Sequence, residues 1–182
     1  MRRILGVDPG LRTTGYGVIA CENGRYTLVE GGVLQPLATL PLEARLAQLY
    51  AAIVDVVQTT KPDCMVVEEL WTNYKNPTTA VLMGHARGVI ALAAGTGDIP
   101  MHNLAHSLVK RALAGSGSAK KDQVGGMVVA LLGLKKLPTP NDVTDALALA
   151  IAFANIEMQH ERFADRGVLL PTRRSRPTQL AR

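Results

Sequence analysis

The chain has 182 residues, 47% of them apolar, and a formal net charge of +5. That length fits one domain with a core that needs no staples, and no run of about 18 apolar residues reads as a membrane span. The N-terminus enters a strand pattern with no apolar leader or small-residue cleavage site, and Cys21 and Cys64 are isolated in expected strands as buried reduced thiols, so the composition points to the cytoplasm.

Residues 3–8 predict a short buried strand, with Ile4-Leu5-Gly6-Val7 ending on Asp8. Pro9-Gly10 turns the chain, and Gly15 to Cys21 predicts a second strand. Asn23-Gly24 is a strong hairpin signal, and Tyr26 to Leu34 returns as a third strand. Residues 41–60 repeat apolar positions at helical spacing: Leu42, Leu46, Leu49, Ile53, Val56 and Val57. Asp63 to Glu68 is a fourth strand, Pro77 to Gly95 a helix and Ile99 to Asn103 a fifth strand. Ala105 to Ala114 predicts a helix, and Gly115-Ser116-Gly117-Ser118 a flexible loop. Ala119 to Leu132 and Thr139 to His160 complete the helices.

A three-strand antiparallel meander followed by alternating β and α elements implies an α/β domain over residues 1–160. Its mixed five-stranded sheet carries helices on both faces. Residues 161–182 hold six arginines against Glu161 and Asp165 and lose periodicity. They read as a basic, mobile tail.

Four acids stand where packing does not explain them. Asp8 and Glu68 end strands, at the sheet edge where α/β folds place their sites. An Asx turn explains Asp8 equally well, and a solvated strand end would explain Glu68. Strand alternation puts Glu68 and Glu69 on opposite faces. Glu68 is favoured for the Asp8 side, and Glu69 for solvent. Asp142 and Asp145, spaced i and i+3, share one face of the last helix. Thr139 is the expected N-cap and Pro140 the first-turn residue. The helix dipole accounts for Asp142. It explains Asp145 less well, because Asp145 abuts the apolar run Ala146 to Ile151. Converging acids repel unless cations join them, and hard divalent ions with oxygen ligands are the usual solution. A metal-dependent phosphoryl-transfer site follows. If metal neutralises the four acids, the remaining basic body suits a polyanion.

Lys120 and Lys121 follow Ser118, an expected N-cap, and would oppose the helix dipole unless a phosphate binds there. A solvated lysine pair is the plainer alternative. Lys110 and Arg111 could extend the patch. Lys135 and Lys136 read as surface filler. Trp71, three residues past Glu68, either stacks on an unpaired base or covers the core edge. The four histidines, His85, His102, His106 and His160, lack metal-ligand spacing and read as surface or packing residues. Gly84 and Gly88 flatten a helix face beside Arg87, for close packing on the sheet or on a partner subunit.

Across residues 2–160 the chain resembles the RuvC family of Holliday-junction resolvases. The likeness rests on Gly6-Val7-Asp8-Pro9-Gly10 with Thr14-Gly15-Tyr16-Gly17, and on Val67-Glu68 followed by an aromatic. It rests also on Ala86-Arg87-Gly88, on Gly117-Ser118-Ala119 with Lys121-Asp122-Gln123-Val124, and on Asp142 with Asp145-Ala146-Leu147-Ala148. The resemblance implies a ribonuclease-H-like fold and a homodimer. It implies Mg2+, with Mn2+ as a substitute, one or two ions per subunit, held by Asp8, Glu68, Asp142 and Asp145 as the catalytic set. It implies paired incisions in a four-way DNA junction, in recombination and repair, beside a RuvAB-type branch-migration motor. Lys121 resembles the basic residue on the scissile phosphate, and Lys110 a second one. Trp71 stands where the family usually has a phenylalanine that stacks on junction bases. Arg87 and Lys120 join these as expected DNA-binding residues. The competing readings are an actin-like or sugar-kinase-like ATPase, which needs a second lobe, a junction binder without catalysis, and a related nuclease acting on RNA.

Overall fold

The structure is a computed structural model, described here for residues 1–69 and 77–165. Strands β1 (Arg2–Asp8), β2 (Thr14–Glu22) and β3 (Arg25–Leu34) form the meander. The β2–β3 turn uses Asn23 and Gly24 at φ 51° and 75°, the positive pair that suits right-twisted strands. Helix α1 (Leu42–Thr60) leads to β4 (Cys64–Glu68), and α2 (Pro77–Thr96) to β5 (Met101–Leu104). Helices α3 (His106–Ala114), α4 (Lys121–Leu132) and α5 (Asn141–Asp165) follow. The sheet order is β3-β2-β1-β4-β5, with β1, β4 and β5 mutually parallel along their pairings. The expected α/β class, mixed five-stranded sheet and helices on both faces are therefore present, in a ribonuclease-H-like arrangement.

Strand alternation sorts the core into two layers. Ile4, Ile19, Cys64 and Val66 pack against Leu147, Ile151 and neighbours on α3, α4 and α5. Leu5, Val7, Val18, Met65 and Val67 pack on the other face against Ile53 and Val56 of α1 and Ile90 and Ala93 of α2. Asp8 continues the Ile4–Gly6 side of β1, and Glu68 the Cys64–Val66 side of β4. Both acids therefore face α5.

Two glycines set how closely α5 sits. A Cβ on Gly6 would stand 1.9 Å from the Ala146 carbonyl oxygen, and one on Gly15 2.1 Å from that of Asp142. Backbone atoms cannot yield as a side-chain tip can, so these positions exclude any larger residue.

Several boundaries differ from expectation, among them β5, which begins at Met101 rather than Ile99. The last helix begins at Asn141 rather than at Thr139-Pro140, and it runs to Asp165, past His160. Helix α4 begins at Lys121, with Lys120 rather than Ser118 as its N-cap. Ser116 and Ser118 satisfy each other instead: their hydroxyls lie 2.9 Å apart and the Ser118 N–H donates to the Ser116 Oγ at 3.3 Å. Gln123 supplies the cap, its Oε1 accepting the Lys120 N–H at 2.8 Å. The expected mobile tail lies almost wholly outside the described residues.

Candidate active site

The site lies at the carboxyl ends of β1 and β4, the edge at which parallel α/β sheets present their crevices. Val7 and Val67 are paired in register, so Asp8 and Glu68, one residue further on, stand side by side at the rim. From above, α5 brings down Asp142, whose backbone rests on Gly15, the antiparallel partner of Asp8. Asp145, one turn along, faces the same rim. Asp8, Glu68, Asp145, His106, Lys110 and Lys121 line a common pocket with Val109, Val124, Ala148 and Leu149. It encloses about 100 Å³, enough for a cation with a few ligand waters. Asp142 lines the adjoining groove instead, with Gly10 to Thr13 and Arg45.

Glu69, on the opposite alternation, is exposed. Its N–H donates to the Leu104 carbonyl at 2.9 Å, which ties β4 to β5. Of the two neighbouring glutamates, Glu68 is the one whose side chain enters the pocket.

The electrostatics identify Asp8 as the centre. Burial, reinforced by the charges of Asp145, Glu68 and Asp142 in that order, pushes its carboxyl up to about 7, with Lys121 opposing the rise. Each of the other three acids thus acts on Asp8 although they come from distant parts of the chain. Two basic side chains stand against the acids. The Lys121 ammonium lies 2.7 Å from Asp145 Oδ2. This contact, partly opposed by desolvation, raises the Lys121 pKa. The His106 Nδ1 lies 2.7 Å from Glu68 Oε1.

Lys121 is the first residue of α4, where the helix dipole disfavours a cation. The sequence suggests that a phosphate removes that cost. In the folded chain Asp145 already does so. Lys110 on α3 is half-buried in the pocket wall, whereas Lys120 is exposed and outside the pocket lining. Arg87 donates from Nη1 to the Glu68 carbonyl and from Nη2 to Asn103 Oδ1, the latter at 2.5 Å. Its guanidinium bolts the ends of β4 and β5 together beneath the site. Trp71 lies outside the described residues.

His106 is the site residue that sequence spacing missed. Its signal was positional: it opens α3 two residues after β5 ends. Only the strand order, with β5 beside β4, places that point next to Glu68.

The donor set fits hard divalent cations. It is all carboxylate oxygen, crowded enough that one member resists ionisation without a counter-charge. Among the described residues, no three His, Cys, Asp or Glu side chains are already drawn together as a metal cage. Lys121 and His106 engage two of the acids instead.

The family model described as "Crossover junction endodeoxyribonuclease RuvC" matches residues 4–153. A curated protein of that description from Desulforamulus reducens is 46% identical over 151 residues, covering 83% of this chain and 92% of the relative. Among solved structures, Thermus thermophilus RuvC in complex with Holliday junction substrate superposes with a TM-score of 0.80 at 30% identity, covering 87% of this chain and 96% of that one. A second structure of Thermus thermophilus RuvC gives a TM-score of 0.79 at 32% identity, over 91% and 97% of the two chains. The motifs read in the sequence fall within the matched span, and the acids of the pocket are among them. This chain belongs to the RuvC family of crossover junction endodeoxyribonucleases.

Proposed function

We propose that this chain resolves four-way DNA junctions by metal-dependent hydrolysis, as a homodimer that cuts two strands of like polarity. The observation that carries the reading is the convergence of Asp8, Glu68 and Asp145 on one pocket with Lys110 and Lys121 in its wall, where burial and the neighbouring acids push the Asp8 carboxyl up to about 7. A structural acid gains nothing from such neighbours, whereas an acid that receives a cation does.

Asp8, Glu68, Asp142 and Asp145 would hold Mg2+, or Mn2+ in its place, as one or two ions per subunit. When bound, the ions would supply an activated water and charge stabilisation for the departing 3′ oxygen. In that hydrolysis the water oxygen would bond to phosphorus as the P–O3′ bond breaks, a water proton would pass to the 3′ oxygen, and the products would carry 5′-phosphate and 3′-hydroxyl ends that a ligase can seal. The chain's own part is positioning and charge. Asp8 is fixed by its strand and by α5 above it, which excludes water from one side. Lys121 meets a non-bridging oxygen of the scissile phosphate, and Lys110 adds positive charge on the same wall. Lys120 lies outside, placed for the flanking backbone. Arg87 serves DNA indirectly, through the β4–β5 edge that it secures. Trp71 is assigned to stacking on an unpaired base.

The dimer reading draws on α2. Val81 and Leu92 are 58% and 56% exposed, and among the described residues nothing lies within 4 Å of a Cβ built at Gly84 or Gly88. These positions recur at helical spacing as one flat apolar stripe, and a second copy related by two-fold symmetry would cover it. Two equivalent pockets would then face the two strands to be cut. We assign the enzyme to recombination and repair in the cytoplasm, beside a RuvAB-type branch-migration motor. Among the described residues no helix is long and apolar enough to cross a membrane. The ATPase reading requires a second lobe, and the described residues form one sheet.

The test is cleavage of a synthetic four-way junction beside duplex and RNA–DNA hybrid controls, with and without Mg2+. Paired incision of the junction alone, dependent on Mg2+ and lost in Glu68→Gln with junction binding retained, is the expected result. Preferential cutting of the hybrid would replace this reading with the RNA nuclease.

A further inference from the structure

We propose that His106 is a positioning residue that holds the Glu68 carboxylate in the orientation a cation requires. The inference rests on the proposal that Asp8 and Glu68 bind metal, and adds a residue to it. The backbone at this point is already fixed on two sides. The Glu69 N–H bonds to the Leu104 carbonyl at 2.9 Å, and Arg87 donates to the Glu68 carbonyl. The side chain beyond it retains three torsions, and the last of them is broad and weakly preferred. A glutamate at a half-open rim would sample several orientations, and each would move its oxygens relative to Asp8.

His106 restricts that freedom. It is the first residue of α3, and β5 carries it to the Glu68 end of the neighbouring strand, where Glu68 pairs with Leu104. Its Nδ1 lies 2.7 Å from Glu68 Oε1. At this separation a proton carried by Nδ1 would hold Oε1 against the ring and leave Oε2 for a cation. The donation needs only a proton on Nδ1, which the neutral ring can carry as well as the charged one. Carboxylates that bind metal are commonly oriented by such outer partners, and losing one typically weakens metal binding by about 10–100-fold. Because the His106 side chain is 60% exposed, its replacement leaves the core unaltered.

The experiment measures Mn2+ binding to the full chain without DNA, by the electron paramagnetic resonance signal of free Mn2+. His106→Ala should weaken binding about tenfold or more. His106→Asn, whose amide N–H can stand near the Nδ1 position, should recover most of the loss, and His106→Gln should not. Cleavage by His106→Ala should return toward the wild-type rate as Mn2+ is raised. Junction binding in EDTA should match wild type in all three, as a check on fold and assembly. Unchanged Mn2+ affinity in His106→Ala, or failure of His106→Asn to recover it, overturns the proposal. So does nitrogen modulation in the spin-echo spectrum of bound Mn2+, which would make His106 a direct ligand. Asp8→Asn separates the two levels of inference. If it leaves Mn2+ affinity unchanged, the metal site itself is misplaced. If it abolishes binding while His106→Ala has no effect, only the role of His106 fails.

Discussion

Asp8→Asn should make the metal-free protein more stable while ending its activity. The Asp8 carboxyl ordinarily titrates at 3.8, and the folded site pushes it up to about 7. Because the folded value is the higher one, the folded state binds the proton more tightly. Its stability contribution is complete below the ordinary value of 3.8 and is lost progressively as pH rises through about 7. A tenfold change in proton affinity corresponds to about 1.4 kcal/mol, so the wild type forfeits on the order of 4 kcal/mol at pH 8, as an upper bound. At pH 4.5 the same relation leaves a loss of only about 1 kcal/mol. The amide of the variant carries no charge at either pH and occupies nearly the same volume as the carboxyl. In EDTA, urea or thermal unfolding at pH 8 should place the variant roughly 2–4 kcal/mol above wild type. A chain of this size shifts its Tm by about 2–4 °C per kcal/mol, so the expected gain is about 4–16 °C. The gap should narrow sharply at pH 4.5. Added Mg2+ should raise the wild type and leave the variant nearly unmoved. Equal stability of the two proteins in EDTA at pH 8 would refute the claim that burial and the three neighbouring acids oppose ionisation of Asp8.

Lys121→Ala should slow junction cleavage by roughly 10²-fold or more, as loss of a charge-stabilising group does, while the junction Kd shifts far less in a gel assay. Gly6→Ala should cost more than about 3 kcal/mol, above the usual range for overpacking, because its Cβ would stand 1.9 Å from the Ala146 carbonyl oxygen; chemical denaturation measures it, and a loss below about 1 kcal/mol would contradict the close seating of α5. Leu92→Glu on the exposed face of α2 should convert the proposed dimer to monomer in sedimentation equilibrium, and junction cutting should fall with it.

Much of this site was legible in the chain because each acid sits at a point of change. Asp8 and Glu68 terminate apolar strands, and period-two alternation alone selects Glu68 over Glu69. Asp142 and Asp145 open a helix whose following turns are buried. What could not be read was mutual position. His106 follows a strand of no special character, and only the parallel placement of β5 against β4 brings it to Glu68. Lys121 was legible as a cation at a helix start, but its partner Asp145, 24 residues away, was not. The start of α4 lies at Lys121 rather than beside Ser118 because Ser116 captures the Ser118 hydroxyl, a local competition that N-cap propensity ignores. Arg87 was legible as part of a motif, but its bonds to Glu68 and Asn103 depend on how α2 lies over the sheet.

The seating of α5 on Gly6 and Gly15 also has a consequence for the order of synthesis. Asp8 is synthesised well before the helix that covers its strand. Until residues 141–151 emerge and dock, Asp8 has neither Asp142 nor Asp145 beside it, and one face of the central strand lies bare. A chain shortened before residue 141 therefore lacks two of the four acids and leaves that face of the sheet uncovered.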